Sequence, residues 1–218
     1  ILLLGMACQK SISTSSSETE LEAKVSRTLA TLSLKEKVGQ MIQLNLDMIS
    51  VGEVYNLKEP NELDSVKLRK ALVEYGVGSI LNVGGHAYSK EYWNQIVSEI
   101  QRIALTETKA KIPVLYGIDA IHGANYLLNG TLFPQPLAQA ATFNTELVEQ
   151  GASITAYETR ACGIPWNFSP VLDVARQPLW SRVFETYGED VYMCKTMGLA
   201  AIKGYQGENA GDPEKVSA

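Results

Sequence analysis

Two stretches of this chain carry side chains at spacings that could do chemistry. The first is G-I-D-A-I-H-G at 117–123, an apolar run that ends in Asp119, with His122 three residues on. Polar groups just past the C-terminal end of a parallel strand face the usual mouth of an α/β active site. Asp119 would serve equally well as a cap for the turn that follows. An Asp-x-x-His pair also raises a metal site, but His86 is the only other histidine and no set of ligands accompanies it, so no metal is expected. The second stretch, 167–190, leaves an apolar run and carries Arg176, Trp180, Arg182, Glu185, Glu189 and Asp190. An aromatic face beside guanidinium and carboxylate groups suits a neutral polyol such as a sugar, which stacks its apolar face and exchanges hydrogen bonds through its hydroxyls. The same residues could instead form a salt-bridge network that holds a long loop.

Something must position these groups, and the pattern around them is β-α-β alternation. Apolar runs at 40–46, 77–83, 112–119 and 166–174 are bounded by Gly, Pro or Asn and read as strands covered on both faces. Between them, 89–109 places Trp93, Ile96, Val97, Ile100, Ile103 and Ala104 on one helical face. A helix over 145–162 has Asn144 as N-cap, Glu146 in its first turn and Gly163 just past its end. A third, over 189–206, lines up Val191, Cys194, Gly198, Ala201, Ile202 and Tyr205. Such right-handed crossover units build either an eight-stranded barrel or an open doubly wound sheet. A full barrel takes about 250 residues, so about four βα units are expected here and a barrel would be incomplete.

The 218 residues are 45% hydrophobic and 20% charged, enough to bury one sizeable core. The net charge of −5 and the scattered Lys and Arg residues argue against nucleic acid as a partner. The chain opens on an apolar run, ILLLGMA, that ends at Cys8 and reads as the tail of an export signal. A lipoprotein signal would cleave before Cys8 and leave QKSISTSSSETE as a polar tether, although Gly5 stands where such signals usually have Leu. Cys8 is therefore a lipidation candidate, with an ordinary signal peptide as the alternative. Residues 1–20 are assigned to signal remnant and tether, and 21–218 to the folded domain. Cys162 and Cys194 read as buried thiols.

Several ordered motifs resemble glycoside hydrolase family 3, the β-glucosidase and exo-glucanase family. They are K-V-G-Q-M at 37–41, G-I-D-A-I-H-G at 117–123, T-L-F-P at 131–134, Q-P-L-A at 135–138 and S-P-V-L-D-V-A-R at 169–176. Most specific are W-S-R at 180–182 and E-T-Y-G-E-D at 185–190. The resemblance implies an (β/α)8 barrel, here incomplete, and an exo-acting retaining β-glucosidase that needs no cofactor and takes an oligosaccharide or β-glucoside. It implies that Asp119 anchors the outer hydroxyls of the terminal sugar and that Arg182 belongs to the same subsite. His122 and Trp180 would stand behind these two, and Glu185, Glu189, Asp190 and Asp173 would be loop scaffolding. Gln177 and Leu179 depart from the family pattern and remove one carboxylate and one guanidinium. Family members continue into a Lys-His pair, an Asp nucleophile and an acid/base Glu, all expected beyond residue 218. Retaining hydrolysis needs two carboxylates about 5 to 5.5 Å apart, so this stretch alone is expected to be inactive. Other expectations compatible with the resemblance are a β-xylosidase, an arabinofuranosidase, an N-acetyl-β-hexosaminidase, or a noncatalytic sugar-binding protein. The protein is expected to be exported, to the periplasm or to an outer-membrane anchor in a bacterium.

Overall fold

The computed structural model describes residues 16–53, 56–82, 87–209 and 211–218. Cys8, with the export signal and lipid anchor expected there, and His86 lie outside the described residues. Helix α1 (Ser16–Thr31) begins inside the stretch expected to be tether, because Glu, Leu, Ala and Lys are strong helix formers that outweigh the polar composition of 16–20.

Ser33 and Glu36 form a reciprocal capping box: Ser33 Oγ accepts from the Glu36 N–H, and the Ser33 N–H donates to Glu36 Oε2 at 2.8 Å. That box starts α2 (Leu34–Gln40), so the first apolar run loses Gln40 to a helix and yields only β1 (Gln43–Asn45). A short antiparallel pair, β2 (Gly52–Glu53) and β3 (Asn56–Leu57), follows. Next comes α3 (Ser65–Arg69), capped by Asp64 and extended by a wider π turn over Lys70–Glu74. Beyond it are β4 (Ser79–Leu81), α4 (Lys90–Thr106), β5 (Leu115–Ile118), α5 (Pro136–Ala140), α6 (Thr145–Ala161), β6 (Trp166–Asn167) and α7 (Val191–Gln206).

The four parallel strands lie in the order β1-β4-β5-β6. Each new parallel strand joins the same side of the sheet, whereas a doubly wound sheet reverses its order at a switch point. The arrangement is the opening part of a barrel. Ser217 adds a parallel bridge beside Trp166, on the side where the next strand of such a barrel would pair. The run expected as a strand over 166–174 pairs only at Trp166 and Asn167. Pro170 has no N–H to offer a ladder, and the chain leaves the sheet.

Two cores hold this frame. In the first, Ile80, Tyr116 and Ile118 from one face of the sheet pack with all six residues expected on α4, together with Leu68 and Leu72. In the second, Val148, Ala152 and Ala156 of α6 meet Cys194, Met197, Ala201 and Tyr205 of α7. Val191, expected on the buried side of α7, is exposed, while Met197, not expected there, is buried. Both Cys162 and Cys194 are buried free thiols, as expected. The opposite face of the sheet is less covered, with Leu115 56% exposed. Below the sheet the backbones close on one another: a Cβ on Gly39 would meet the Tyr75 carbonyl oxygen at 2.2 Å, and one on Gly78 the Gln40 carbonyl oxygen at 2.3 Å.

Candidate active site

The C-terminal ends of the strands bring polar residues together. β1 ends in Asn45, β4 is followed by Asn82, β5 by Asp119, and β6 ends in Asn167. Asn82 is buried, and its Oδ1 accepts from the Tyr116 hydroxyl at 3.0 Å. Asp119 leaves the sheet directly after Ile118 and is half-buried. Burial pushes its carboxyl above the usual range; Arg182 opposes that shift and Glu185 adds to it. The structure thus brings Asp119 and Arg182 within electrostatic reach of each other.

Beyond Asp119 the chain folds back on itself. Gly123, at φ +113°, allows the reversal, since a Cβ there would sit 2.1 Å from the Thr131 carbonyl oxygen. His122 faces away from the strand end into that fold: its Nδ1 lies 3.0 Å from the Phe133 carbonyl oxygen, and its own carbonyl accepts from the Phe133 N–H at 2.8 Å. The loop is tied outward through Thr131, which donates to Glu158 of α6 from both its N–H and its hydroxyl. It is tied inward by Trp93, whose indole N–H donates to the Tyr126 carbonyl at 2.8 Å. Tyr126 is near enough to Asp119 that the carboxylate, after burial, helps raise its phenol.

Arg182 sits at the head of a short 3₁₀ turn, Val183–Glu185. Its side chain is 53% exposed and is gripped by Glu185: Nε lies 3.0 Å from both carboxylate oxygens and Nη2 lies 2.6 Å from Oε2. Glu185 is only 8% exposed. Sequence reasoning assigns it to general scaffolding and misses its specific task of orienting Arg182. An i,i+3 Arg–Glu pair beside an aromatic was the available signal. Trp180 is half-buried in the same turn, and its carbonyl accepts from the Val183 N–H at 3.2 Å. Asp190 caps α7 by accepting from the Met193 N–H at 2.8 Å, in keeping with a scaffold role. Thr186 and Tyr187 are buried and carry this loop into the second core. Gln177, one of the departures, accepts the Leu179 N–H at 3.2 Å.

A half-buried carboxylate within electrostatic reach of an oriented guanidinium, at the end of a parallel sheet, can hold hydroxyls: the carboxylate accepts, and the guanidinium donates. Comparison with known proteins identifies the family. The model of the glycosyl hydrolase family 3 N terminal domain matches residues 33–216. The chain is 40% identical over 193 residues to the lysosomal beta glucosidase of Dictyostelium discoideum, covering 85% of this chain and 23% of that protein. It is 30% identical over 195 residues to the periplasmic beta-glucosidase of Salmonella typhimurium, covering 89% and 22%. Among solved structures it superposes on the exo-1,3/1,4-beta-glucanase of a Pseudoalteromonas species with a TM-score of 0.73, 30% identity and 89% of this chain against 23% of that one. For the beta-glucosidase of Listeria innocua in complex with glucose the TM-score is 0.70, with 30% identity and 89% against 26%. The chain therefore spans about a quarter of the length of these relatives. With the motifs in order and the N-terminal domain model matching most of its length, this chain belongs to glycoside hydrolase family 3.

Proposed function

We propose that this chain is the sugar-gripping portion of an exo-acting, retaining β-glucosidase that removes terminal non-reducing glucosyl residues from oligosaccharides without a cofactor. The observation that carries the reading is the placement of Asp119: a half-buried carboxylate at the end of β5, within electrostatic reach of Arg182. A carboxylate in a partly desolvated pocket accepts hydroxyl hydrogen bonds worth roughly 1.5 to 3 kcal/mol each. Arg182, fixed by the buried Glu185, supplies donors to the same ring. The nucleophile and the acid/base would come from outside these residues, and the two carboxylates would act in turn through a glycosyl-enzyme. Glucose is the sugar in one of the Listeria innocua complexes and laminaribiose that in another, which favours a glucosyl substrate here.

A second reading has its own support. A beta-xylosidase of Formosa agariphila is 40% identical over 116 residues of this chain. Xylose lacks the hydroxymethyl group of glucose and keeps the ring hydroxyls that Asp119 and Arg182 would hold, so the pair alone does not separate the two sugars. The test is hydrolysis of aryl β-glucoside and aryl β-xyloside by the complete enzyme, with the anomer of the first-formed sugar followed by NMR. The expected result is a larger kcat/KM for the glucoside and β-glucose as the first product. A preference for the xyloside would establish the second reading, and α-glucose as first product, or no hydrolysis of either, would overturn the retaining mechanism or the enzyme reading itself.

A further inference from the structure

Asn167 is 0% exposed and stands on the last rung of β6, opposite Ile118. Its backbone N–H is spent on the other neighbour, donating to the Ser217 carbonyl at 2.8 Å. Toward β5 the main-chain ladder carries on only as far as the Phe168 N–H, which donates to the Ile118 carbonyl at 2.9 Å. From there the Asn167 side chain takes over. The Ala120 N–H donates to Asn167 Oδ1 at 3.0 Å, and Asn167 Nδ2 donates to the Ala120 carbonyl at 3.3 Å. The carboxamide thus imitates a peptide unit and brackets a residue whose own side chain is a methyl group.

Ala120 directly follows Asp119. Its N–H lies in the same rigid peptide plane as the Asp119 carbonyl. Holding that plane fixes ψ of Asp119, and holding the next carbonyl fixes both dihedrals of Ala120. The Tyr205 hydroxyl, arriving from α7 in the second core, donates to the same Ala120 carbonyl at 3.4 Å. Burial pushes the Tyr205 phenol up to about 12, so it remains a donor at ordinary pH. Two elements therefore converge on the peptide next to the carboxylate.

We propose that Asn167 is a positioning residue for sugar recognition: by locking the Ala120 peptide it sets the direction in which the Asp119 carboxylate leaves the end of β5. The inference rests on the reading of Asp119 as the sugar anchor. A residue that only satisfied buried polar atoms would act on stability alone, whereas a residue that aims a carboxylate must lose its effect when the carboxylate is gone. The test is a double-mutant cycle in the complete enzyme, reading kcat/KM for an aryl β-glucoside with melting temperature in parallel. Asn167→Ala should lower kcat/KM about thirtyfold in the parent enzyme but less than about threefold in the Asp119→Ala background. Losses that multiply independently would overturn the proposal. If Asn167→Ala does not fold, Asn167→Ser, whose short hydroxyl cannot span both Ala120 atoms, takes its place under the same criterion. Should Asp119→Ala alone leave kcat/KM unchanged, the anchor reading has failed; an intact Asp119 effect with multiplying losses defeats only the role of Asn167.

Discussion

Asp119 and Arg182 reach the same end of the sheet by different means. The carboxylate is placed by main chain: it follows β5 immediately, and the peptide after it is bracketed by Asn167 and Tyr205. The guanidinium is placed by another side chain, since Arg182 is largely exposed on a short turn and its direction comes from the buried Glu185. The first group belongs to the sheet and α4 core, the second to a loop anchored in the α6 and α7 core. Backbone placement is stiff and costs desolvation of the charge, whereas side-chain placement leaves the charge solvated and depends on a single partner. A rigid acceptor facing an adjustable donor would hold one end of a sugar ring while tolerating small differences at the other.

The sharpest way to break that comparison is to remove each group. Asp119→Ala in the complete enzyme should lower kcat/KM for an aryl β-glucoside on the order of a few hundredfold, with turnover falling as well as affinity. Steady-state kinetics alongside a measurement of folded fraction would check it; near-normal kinetics would remove Asp119 from the site. Glu185→Gln should cost about tenfold in kcat/KM, because Arg182 loses its charged clamp but stays in the turn. Glu185→Gln should also add almost nothing once Arg182→Ala is present, and independent losses would show that Glu185 acts elsewhere.

Smaller effects separate scaffold from site. Asp190→Ala removes the α7 cap, which is worth about 1 kcal/mol, so the melting temperature should fall by about 2–4 °C while kcat/KM of the folded fraction stays within about threefold. Loss of activity without loss of stability would move Asp190 into the site. The smallest effect concerns Asp119 as a charge. Its carboxyl titrates above the ordinary range in the folded state, so the folded protein binds more protons than the unfolded chain between the two values. Stability therefore falls as pH rises through that window, and above it the ionised Asp119 is a net cost. Asp119→Asn should raise the melting temperature by about 1–3 °C at neutral pH, and the gain should vanish as pH drops below the ordinary carboxylate range. A gain independent of pH would assign it to packing instead.

Much of this frame was legible before the structure. The Asn144 cap, the buried stripe of α4 and the motif placing Asp119 at a strand end all follow from local periodicity and turn chemistry, which single residues report faithfully. Strand lengths did not, because an apolar run looks the same whether or not a neighbour pairs with it; at 166–174 only two residues found a ladder. Asn167 was silent for a related reason. A single Asn inside a run read as a strand gives no sign of what its side chain meets, and only the register against Ile118 shows that it continues the sheet. Glu185 was underread because burial of a loop carboxylate has no sequence signal apart from its partner.

The close backbone contacts below the sheet bear on how such a protein can change over time. Gly39 and Gly78 lie where even a methyl group would strike a carbonyl oxygen, both at the N-terminal side of β1 and β4. That end of the sheet is closed to substitution by geometry, while the loops at the opposite end also carry exposed side chains, Leu128, Leu132 and Leu179 among them. Saturation libraries aimed at new sugar preferences would therefore find viable clones at exposed positions of those loops, such as Leu128, Leu132 and Leu179, and would be emptied by any diversity spent on the two glycines.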